Sequence, residues 1–230
     1  MSFYFRQRSM IQRAKSLTSQ VFDTLLDDIV SGRRRSGTML SENALAQEFG
    51  TSKTPVREAF VQLQSFGLVE VMPQRGCLVF QPTAAEVSSL CEVRHILECA
   101  AVDLAMQRAP DLLLLELRSR FERMTTDAEQ KQRSDFSHDD DAFHQAFFTH
   151  AGNPSLQEAH RLFAPRLQAL RTNLQSMHGH LLCEAQEDHA EMIGLLDVGD
   201  IESTKAIIGI HIERMSQKYE TESEFLWTAR

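Results

Sequence analysis

The sequence predicts a mainly α-helical protein of 230 residues that is divided into two units. Residues 1–82 combine short helical patterns with one β-hairpin, whereas from residue 83 onward proline and glycine interrupt only long helical patterns. The charges divide at the same place, with ten Lys/Arg and seven Asp/Glu in residues 1–82 against fourteen and twenty-five in residues 83–230. We therefore predict two domains that meet between residues 82 and 83.

The first helix is predicted at about residues 16–31. Its apolar residues recur at helical spacing, which places them on one face of the helix and in the core. They are Val21, Phe22, Leu25, Leu26, Ile29 and Val30. Three consecutive arginines follow this helix at positions 33 to 35, and they fit either a phosphate contact or a solvated loop.

Two more helical patterns follow with only three or four residues between them. One begins at Ser41 and ends at Gly50, and the next begins at Ser52, carries Pro55 in its first turn and ends at Gly67. This tight connection predicts a helix-turn-helix. The stripe that the second of these helices buries consists of Val56, Ala59, Phe60 and Leu63. The polar residues left free to face a DNA major groove are Ser52, Lys53, Thr54 and Arg57.

A β-hairpin completes the first unit. The runs 68–72 and 77–80 flank Pro73, Gln74, Arg75 and Gly76, a hairpin signature with a glycine where the chain reverses. A ribbon directly after a helix-turn-helix is the wing of a winged helix-turn-helix. In such a fold Arg57 can bind guanine O6 and N7 or a phosphate, and the alternative is a surface salt bridge with Glu58 or Glu42.

The first unit resembles the GntR family of bacterial transcription regulators over residues 16–82. The resemblance rests on four groups of residues: Ile29 to Gly32; Gly37, Leu40, Ser41, Glu42, Leu45 and Ala46; Ser52 and Thr54 to Ala59; and Gly67 to Val69 with Arg75 and Gly76. Ser36 and Asn43 depart from the family, which usually has proline and often arginine there. The positions where the family meets DNA correspond to Asn43, Lys53, Thr54, Arg57, Arg75 and Gly76.

The second unit is predicted to be an all-helical bundle of about 145 residues. Its helices are expected near 84–108, 111–132, 136–151, 154–176, 179–197 and 201–220. Asn153 is expected to cap the fourth of these, with Pro154 at its first position. The apolar residues 112–115 fit a dimerisation surface.

Four residues of the bundle form a candidate metal site. Asp140 and His144 lie four positions apart and therefore project from one helical face, while His189 and His211 lie in the middle of amphipathic helices, where a polar ring needs a partner. Three imidazoles and a carboxylate can enclose a divalent cation, and a metal-free polar core is the alternative. Five other histidines are expected at the surface: His138, His150, His160, His178 and His180. The position of His95 is ambiguous, because it neighbours Arg94.

This unit resembles the ligand-sensing FCD domain of the FadR branch of GntR regulators over residues 90–215. The resemblance rests on the segment 140–144, Gly152-Asn153, the segment 187–189, Gly199-Asp200 and His211. It implies that Asp140, His144, His189 and His211 bind a metal, commonly zinc or nickel, which often holds a carboxylate effector. Arg94 corresponds to a family arginine that could receive that carboxylate, and its alternative is a salt bridge to Glu98.

The resulting expectation is a metabolite-responsive repressor. A homodimer would present two winged helices to a palindromic operator, and a small organic acid at the metal would change their DNA affinity. The alternatives are a purely structural metal and a metal-dependent hydrolase, but no HExxH motif or nucleophile elbow supports an enzyme.

Composition predicts a cytoplasmic protein. No apolar run approaches the roughly eighteen residues that a membrane span needs, and residues 1–15 lack the apolar core of a signal peptide. The four cysteines have no CxxC spacing and are expected to be buried free thiols: Cys77, Cys91, Cys99 and Cys183.

Overall fold

The structure is a computed structural model that describes residues 15–73, 75–129, 133–177 and 181–228. The predicted fold class is confirmed, because a helix-turn-helix with a small sheet precedes a helical bundle. The elements of the first unit are α1 (Leu17–Val30), β1 (Met39–Leu40), α2 (Glu42–Glu48), α3 (Lys53–Ser65), β2 (Val69–Met72) and β3 (Gly76–Val79). The side chain of Ser16 caps α1 by accepting a hydrogen bond from the Ser19 amide. Ser41 and Ser52 occupy the predicted N-cap positions without a side-chain cap bond.

The wing has three strands rather than the predicted two. β3 lies between β1 and β2 and pairs antiparallel with both, so that Leu40 stands opposite Cys77. A two-residue strand is too short to produce an alternating pattern, which is why β1 was missed. At the start of β3, Gly76 has φ +112, and a Cβ there would lie 2.1 Å from the Leu40 carbonyl oxygen. Glycine is therefore required for this close crossing.

The second unit contains seven helices within the described ranges. They are α4 (Ala84–Arg108), α5 (Pro110–Glu129), α6 (Arg133–Ala151), α7 (Pro154–Arg161), α8 (Ala164–Met177), α9 (Leu181–Asp197) and α10 (Ile201–Thr228). Thr83 and Glu86 form a capping box at the start of α4, and Asn153 caps α7 as predicted. Among these described helices, none is both long and apolar enough to cross a membrane.

Three helix predictions need correction. The single helix expected at 154–176 is two helices, because the chain turns at Leu162 and Phe163. Pro110 is the first residue of α5 rather than a break before it, since proline needs no amide partner at that position. α10 continues to Thr228, beyond the predicted end at residue 220. The apolar residues near this end, Phe225, Leu226 and Trp227, are adjacent in sequence and do not recur at helical spacing, so they did not extend the predicted helix.

Each unit has its own apolar core, and α8 contacts both. Ala169 of α8 is 1% exposed and belongs to the core cluster of the first unit, beside residues of α1 and α3. Asn173 Nδ2 of the same helix donates a hydrogen bond of 3.2 Å to Ser36 Oγ. Leu170 and Leu174 belong instead to the core of the helical bundle. One helix is therefore shared between the two cores.

A second connection between the units involves α10. The hydroxyl of Tyr219, which is 2% exposed, donates a hydrogen bond to the carbonyl oxygen of Pro82 in the segment between β3 and α4. The C-terminal helix thus holds the chain at the point where the two units join.

Candidate functional site

The structure brings the four predicted metal ligands together. Asp140 and His144 come from α6, His189 from α9 and His211 from α10, and one ligand atom of each lies within 4.8 Å of the others. The first three side chains are buried and His211 is partly buried. Three helices of the bundle therefore converge on one point.

The distances within this cluster fit a metal ion. His189 Nε2 lies 3.3 Å from His144 Nε2 and 3.5 Å from Asp140 Oδ1. Metal–ligand bonds of about 2.0–2.1 Å place two tetrahedral ligands about 3.3 Å apart. Three imidazoles with one carboxylate suit zinc or nickel. The donor set and its spacing therefore fit a divalent cation.

Two carboxylates orient the histidine rings. Glu98 Oε2 lies 2.9 Å from His144 Nδ1, and Asp188 Oδ2 lies 3.0 Å from His211 Nδ1. An imidazole whose Nδ1 donates to a carboxylate presents Nε2 as the metal ligand, and such partners fix the ring and increase its basicity. Both rings therefore point Nε2 into the cluster.

Burial and neighbouring charges set the protonation states of three of these four side chains. Burial lowers the pKa of His144 to about 4, although Glu98 opposes this shift, and burial followed by His211 lowers the pKa of His189 far below its usual value. For Asp140, burial raises the pKa, but Arg171 and then His189 outweigh burial and hold it well below its usual value. At neutral pH His144 and His189 are therefore neutral and Asp140 is a carboxylate, which are the forms that bind a metal.

Arg171 of α8 supports the carboxylate end of the cluster. Its side chain is 7% exposed, and its Nη1 lies 3.0 Å from Asp140 Oδ2. Its other terminal nitrogen pairs with Asp141. Arg171 therefore leaves Asp140 Oδ1 directed at His189. No sequence pattern pointed to Arg171, because it lies on a different helix, about thirty positions from Asp140.

Arg94 is ion-paired through one nitrogen, while its other two side-chain nitrogens have no partner among the described residues. Its Nε donates a 2.6 Å hydrogen bond to Glu98 Oε1, the salt bridge predicted from their spacing. Its two terminal nitrogens are also buried and have no hydrogen-bond partner among the described residues. An anion placed beside them would receive two parallel hydrogen bonds from a fixed guanidinium.

These nitrogens belong to a small cavity next to the cluster. Its volume is about 60 Å³. Its lining comprises Arg94, Asp140, Arg171, Leu174, Glu184, Ala185, His211, Arg214 and Met215. Two candidate metal ligands and the unsatisfied end of Arg94 therefore face the same space. Sequence reasoning missed Glu184 and Arg214, since helical periodicity does not show which neighbouring faces enclose a cavity.

The remaining histidines differ in part from the prediction. His160 is 4% exposed and stacks on Phe148 with ring centroids 3.9 Å apart, so its assignment to the surface was wrong. His150 is also partly buried, and its Nε2 lies 2.9 Å from Glu116. His138 and His95 are exposed, whereas His178 and His180 lie outside the described residues.

The predicted DNA-facing residues surround one groove between the helix-turn-helix and the wing. Five of them line it: Asn43, Lys53, Arg57, Arg75 and Gly76. Ser52 and Thr54 are exposed at the start of α3. For Gly76 the crossing with Leu40 gives a structural reason for the residue, independent of any DNA contact.

Arg57 and two arginines of the basic run after α1 are paired with carboxylates. Arg57 is 64% exposed, and its Nε lies 2.7 Å from Glu42 Oε2, one of the two partners that the sequence suggested. Arg33 and Arg34 pair with acidic residues of α1 and α2, namely Asp27, Asp28 and Glu48. Their charge is thus balanced locally, whereas the side chain of Arg57 projects into the groove.

The structure thus joins a winged helix-turn-helix to a helical bundle with a buried histidine and carboxylate cluster. The profile named "Bacterial regulatory proteins, gntR family" matches residues 17–79, and the profile named "FCD domain" matches residues 89–214. The chain belongs to the GntR family of bacterial regulatory proteins and carries an FCD domain.

Curated relatives agree with this family. The HTH-type transcriptional repressor RspR of Escherichia coli (strain K12) is 32% identical over 137 residues, and the match spans 60% of each chain. The probable D-xylose utilization operon transcriptional repressor of Paenarthrobacter nicotinovorans is 30% identical over 197 residues, 86% of each chain. The gluconate operon transcriptional repressor of Bacillus subtilis (strain 168) is 32% identical over 117 residues, 51% of this chain and 48% of the relative. The names belong to transcriptional regulators, which confirms the expectation that the chain is not an enzyme.

Solved structures support the fold. E. coli McbR/YncC has a TM-score of 0.76 at 24% identity, covering 90% of this chain and 99% of that chain. A transcriptional regulator of GntR type from Rhodococcus sp. RHA1 has a TM-score of 0.74 at 23% identity. The match covers 94% of this chain and 100% of that chain.

Proposed function

We propose that the protein is a transcriptional repressor that binds operator DNA through its winged helix and responds to a small carboxylate held at a metal in its helical domain. The observation that carries this proposal is the cavity in which the unsatisfied end of a buried Arg94 faces Asp140 and His211. A guanidinium beside a bound cation attracts an anion from two sides. The metal would supply a positive centre with open coordination positions.

The groove supports the DNA-binding half of the proposal. Arg57, Lys53 and Arg75 line it together, and they are exposed at the start of α3 and at the tip of the wing. The net positive charge of residues 1–82 favours phosphates, while the acidic second unit disfavours DNA elsewhere on the molecule. Arg57 is the residue that we propose reads a base.

We infer a homodimer on a palindromic operator from the length of DNA that one recognition helix can contact. One recognition helix covers only one half-site, so two-fold symmetry extends the contact. Of the predicted surface at residues 112–115, Leu112 and Leu115 of α5 are 59% and 67% exposed, as a contact between copies requires, whereas Leu113 is buried in the core of the bundle. Since operator DNA is the target, the proposed location is the cytoplasm.

Helix α8 offers a physical route between the two sites. Arg171 lines the cavity and pairs with Asp140, whereas Ala169 lies in the core of the DNA-binding unit. A ligand that shifts Arg171 would therefore bias the position of a helix shared by both cores. Ligand binding and operator binding are then coupled reciprocally.

The DNA-binding half is tested with Arg57→Ala. Loss of this guanidinium removes a base or phosphate contact, so operator affinity in a fluorescence anisotropy titration should fall by about tenfold or more. Arg161→Ala is the control, because Arg161 is exposed on α7 and pairs with Glu158, outside the groove. Unchanged affinity in Arg57→Ala would show that the groove has been assigned to the wrong partner.

The sensing half is tested with His189→Gln. We expect the purified wild-type protein to retain about one zinc or nickel per chain in elemental analysis, and the variant to lose it, since three ligands remain in place of four. Wild-type operator affinity should then respond to a small carboxylate. If metal is bound but operator affinity ignores carboxylates, the metal is structural.

A further inference from the structure

The cavity beside the candidate metal ligands contains an unsatisfied acceptor as well as unsatisfied donors. Arg94 contributes two buried nitrogens without an acceptor in the described part of the chain. Glu184 of α9 contributes a buried carboxylate oxygen, Oε2, that likewise receives no hydrogen bond from any described residue. The remaining lining includes the apolar residues Leu174, Ala185 and Met215. An occupant that satisfies both ends has an anionic group and a separate hydrogen-bond donor.

Arg214, the cation that lies beside Glu184, already donates a hydrogen bond to the carboxylate of Asp188. Arg214 Nε lies 3.8 Å from Glu184 Oε2, while Arg214 Nη1 donates a 2.6 Å hydrogen bond to Asp188 Oδ2. Asp188 in turn holds His211. A ligand carboxylate placed at this wall would therefore face the negative charge of Glu184, and like charges in contact are unfavourable. A ligand hydroxyl would instead donate to Glu184 Oε2.

We propose that Glu184 makes this cavity selective for hydroxylated monocarboxylic acids over dicarboxylic acids of the same carbon skeleton. The inference rests on the proposed function, because it requires the effector carboxylate to bind beside Arg94. Glu184 supplies both elements of specificity, an acceptor for the preferred ligand and a repulsive charge against the competitor. The cavity of about 60 Å³ admits a compact acid.

Three acids that differ at one carbon provide the probes. Glycerate, lactate and tartronate are all 2-hydroxycarboxylates, and their third carbon is a hydroxymethyl, a methyl and a carboxylate group, respectively. Isothermal titration calorimetry would measure each acid against the metal-loaded full-length protein. The variants are Glu184→Gln and, as a control, Glu187→Gln at an exposed position of the same helix.

We expect Glu184→Gln to raise the affinity for tartronate relative to glycerate by about tenfold or more, because the amide removes the repulsion and still accepts a hydroxyl hydrogen bond. Glu187→Gln should leave this ratio unchanged. Each acid has the same intrinsic affinity for the metal in every variant, so the ratio isolates the effect of residue 184. Glu184→Gln should change the lactate affinity much less than the tartronate affinity, since the methyl group of lactate neither donates a hydrogen bond nor carries charge.

Two results would overturn the inference in distinguishable ways. In the first, glycerate and lactate bind, but the ratio of the tartronate affinity to the glycerate affinity is the same in wild type and Glu184→Gln. Glu184 then does not select the ligand, whereas the proposed carboxylate site at Arg94 is retained. If none of the three acids binds wild-type protein that retains its metal, both the selectivity and the carboxylate effector are wrong.

Discussion

Buried ionisable side chains dominate the behaviour of the second unit at the residue scale. Arg94, Glu98 and His144 form a continuous chain of hydrogen bonds in which each side chain is at most 2% exposed. The pKa of Glu98 is held well below its usual value, because Arg94 and then His144 outweigh the effect of burial. Removing Arg94 or Glu98 alone would leave a buried charge without its partner, which costs several kcal/mol.

The lowered pKa values of two histidines predict that the stability of the metal-free protein depends on pH. Burial lowers the pKa of His144 from its ordinary value of 6.5 to about 4, and burial also lowers the pKa of His189. Between these pH values the unfolded chain binds more protons, so the free energy of unfolding should fall as pH decreases, by up to about 1.4 kcal/mol per pH unit and histidine. Urea denaturation in the presence of a chelator, at pH 7.5, 6 and 5, measures this slope.

His144→Gln provides the control for that measurement. The amide does not titrate, so the slope between pH 6.5 and 5 should become shallower than in the wild type. A wild-type stability that is constant over this pH range would contradict the burial of neutral histidines.

The candidate metal ligands also show what residue patterns can predict. Asp140 and His144 were identifiable because an i, i+4 pair shares a helical face, and His189 and His211 because each interrupts an apolar pattern. Glu98 was identifiable only as a partner of Arg94, and its contact with His144 depends on how α4 packs on α6. Arg171, Glu184 and Arg214 depend entirely on such packing, and the sequence did not indicate them.

The wing illustrates a constraint at the scale of a structural element. β3 can begin beside β1 because residue 76 has neither a side chain nor a preference for negative φ. A Cβ at this position would overlap a backbone oxygen, which no side-chain rearrangement can relieve. The helix-turn-helix was predictable from capping residues and glycine stops, whereas the third strand and the turn between α7 and α8 were not, since both are set by tertiary contacts.

A glycine substitution in the wing is compared with one in a helix of the second unit. Gly76→Ala should lower the free energy of unfolding by about 2 kcal/mol or more, because the backbone conformation is strained for alanine and the Cβ overlaps Leu40. Gly194→Ala in α9 should raise it by about 0.5–1 kcal/mol, since a Cβ there has no neighbour within 4 Å and alanine favours the helix. Urea denaturation monitored by circular dichroism measures both changes in the free energy of unfolding. Equal changes in the two variants would show that the energetic cost of a side chain at the crossing of residue 76 and Leu40 has been overestimated.

At the scale of the whole molecule, the two units share helix α8. Profile matches and charge separate the chain near residue 82, and the domain boundary between residues 82 and 83 remains a prediction. The two cores were predictable from apolar patterns. The contact of Ala169 with the core of the first unit was not, because an alanine in a helix carries no sign of which domain it packs against.

Ala169→Glu tests this shared helix. A carboxylate in the apolar core of the first unit would be buried without a partner, so α8 should separate from α1 and the units should unfold independently. Differential scanning calorimetry should then resolve two transitions, whereas Ala206→Glu at an exposed position of α10 should behave as wild type. A single, merely lowered transition in Ala169→Glu would mean that the units remain coupled by other contacts.

The hydrogen bond from Tyr219 to Pro82 has a practical consequence for exchanging sensors between regulators. Tyr219 lies five residues beyond the end of the FCD match at residue 214, yet it holds the segment that joins the two domains. A chimera whose sensor is cut at the matched limits would discard this anchor and leave the junction held by fewer contacts. The transplantable unit therefore extends at least through Tyr219, and the donor's junction residues should accompany it.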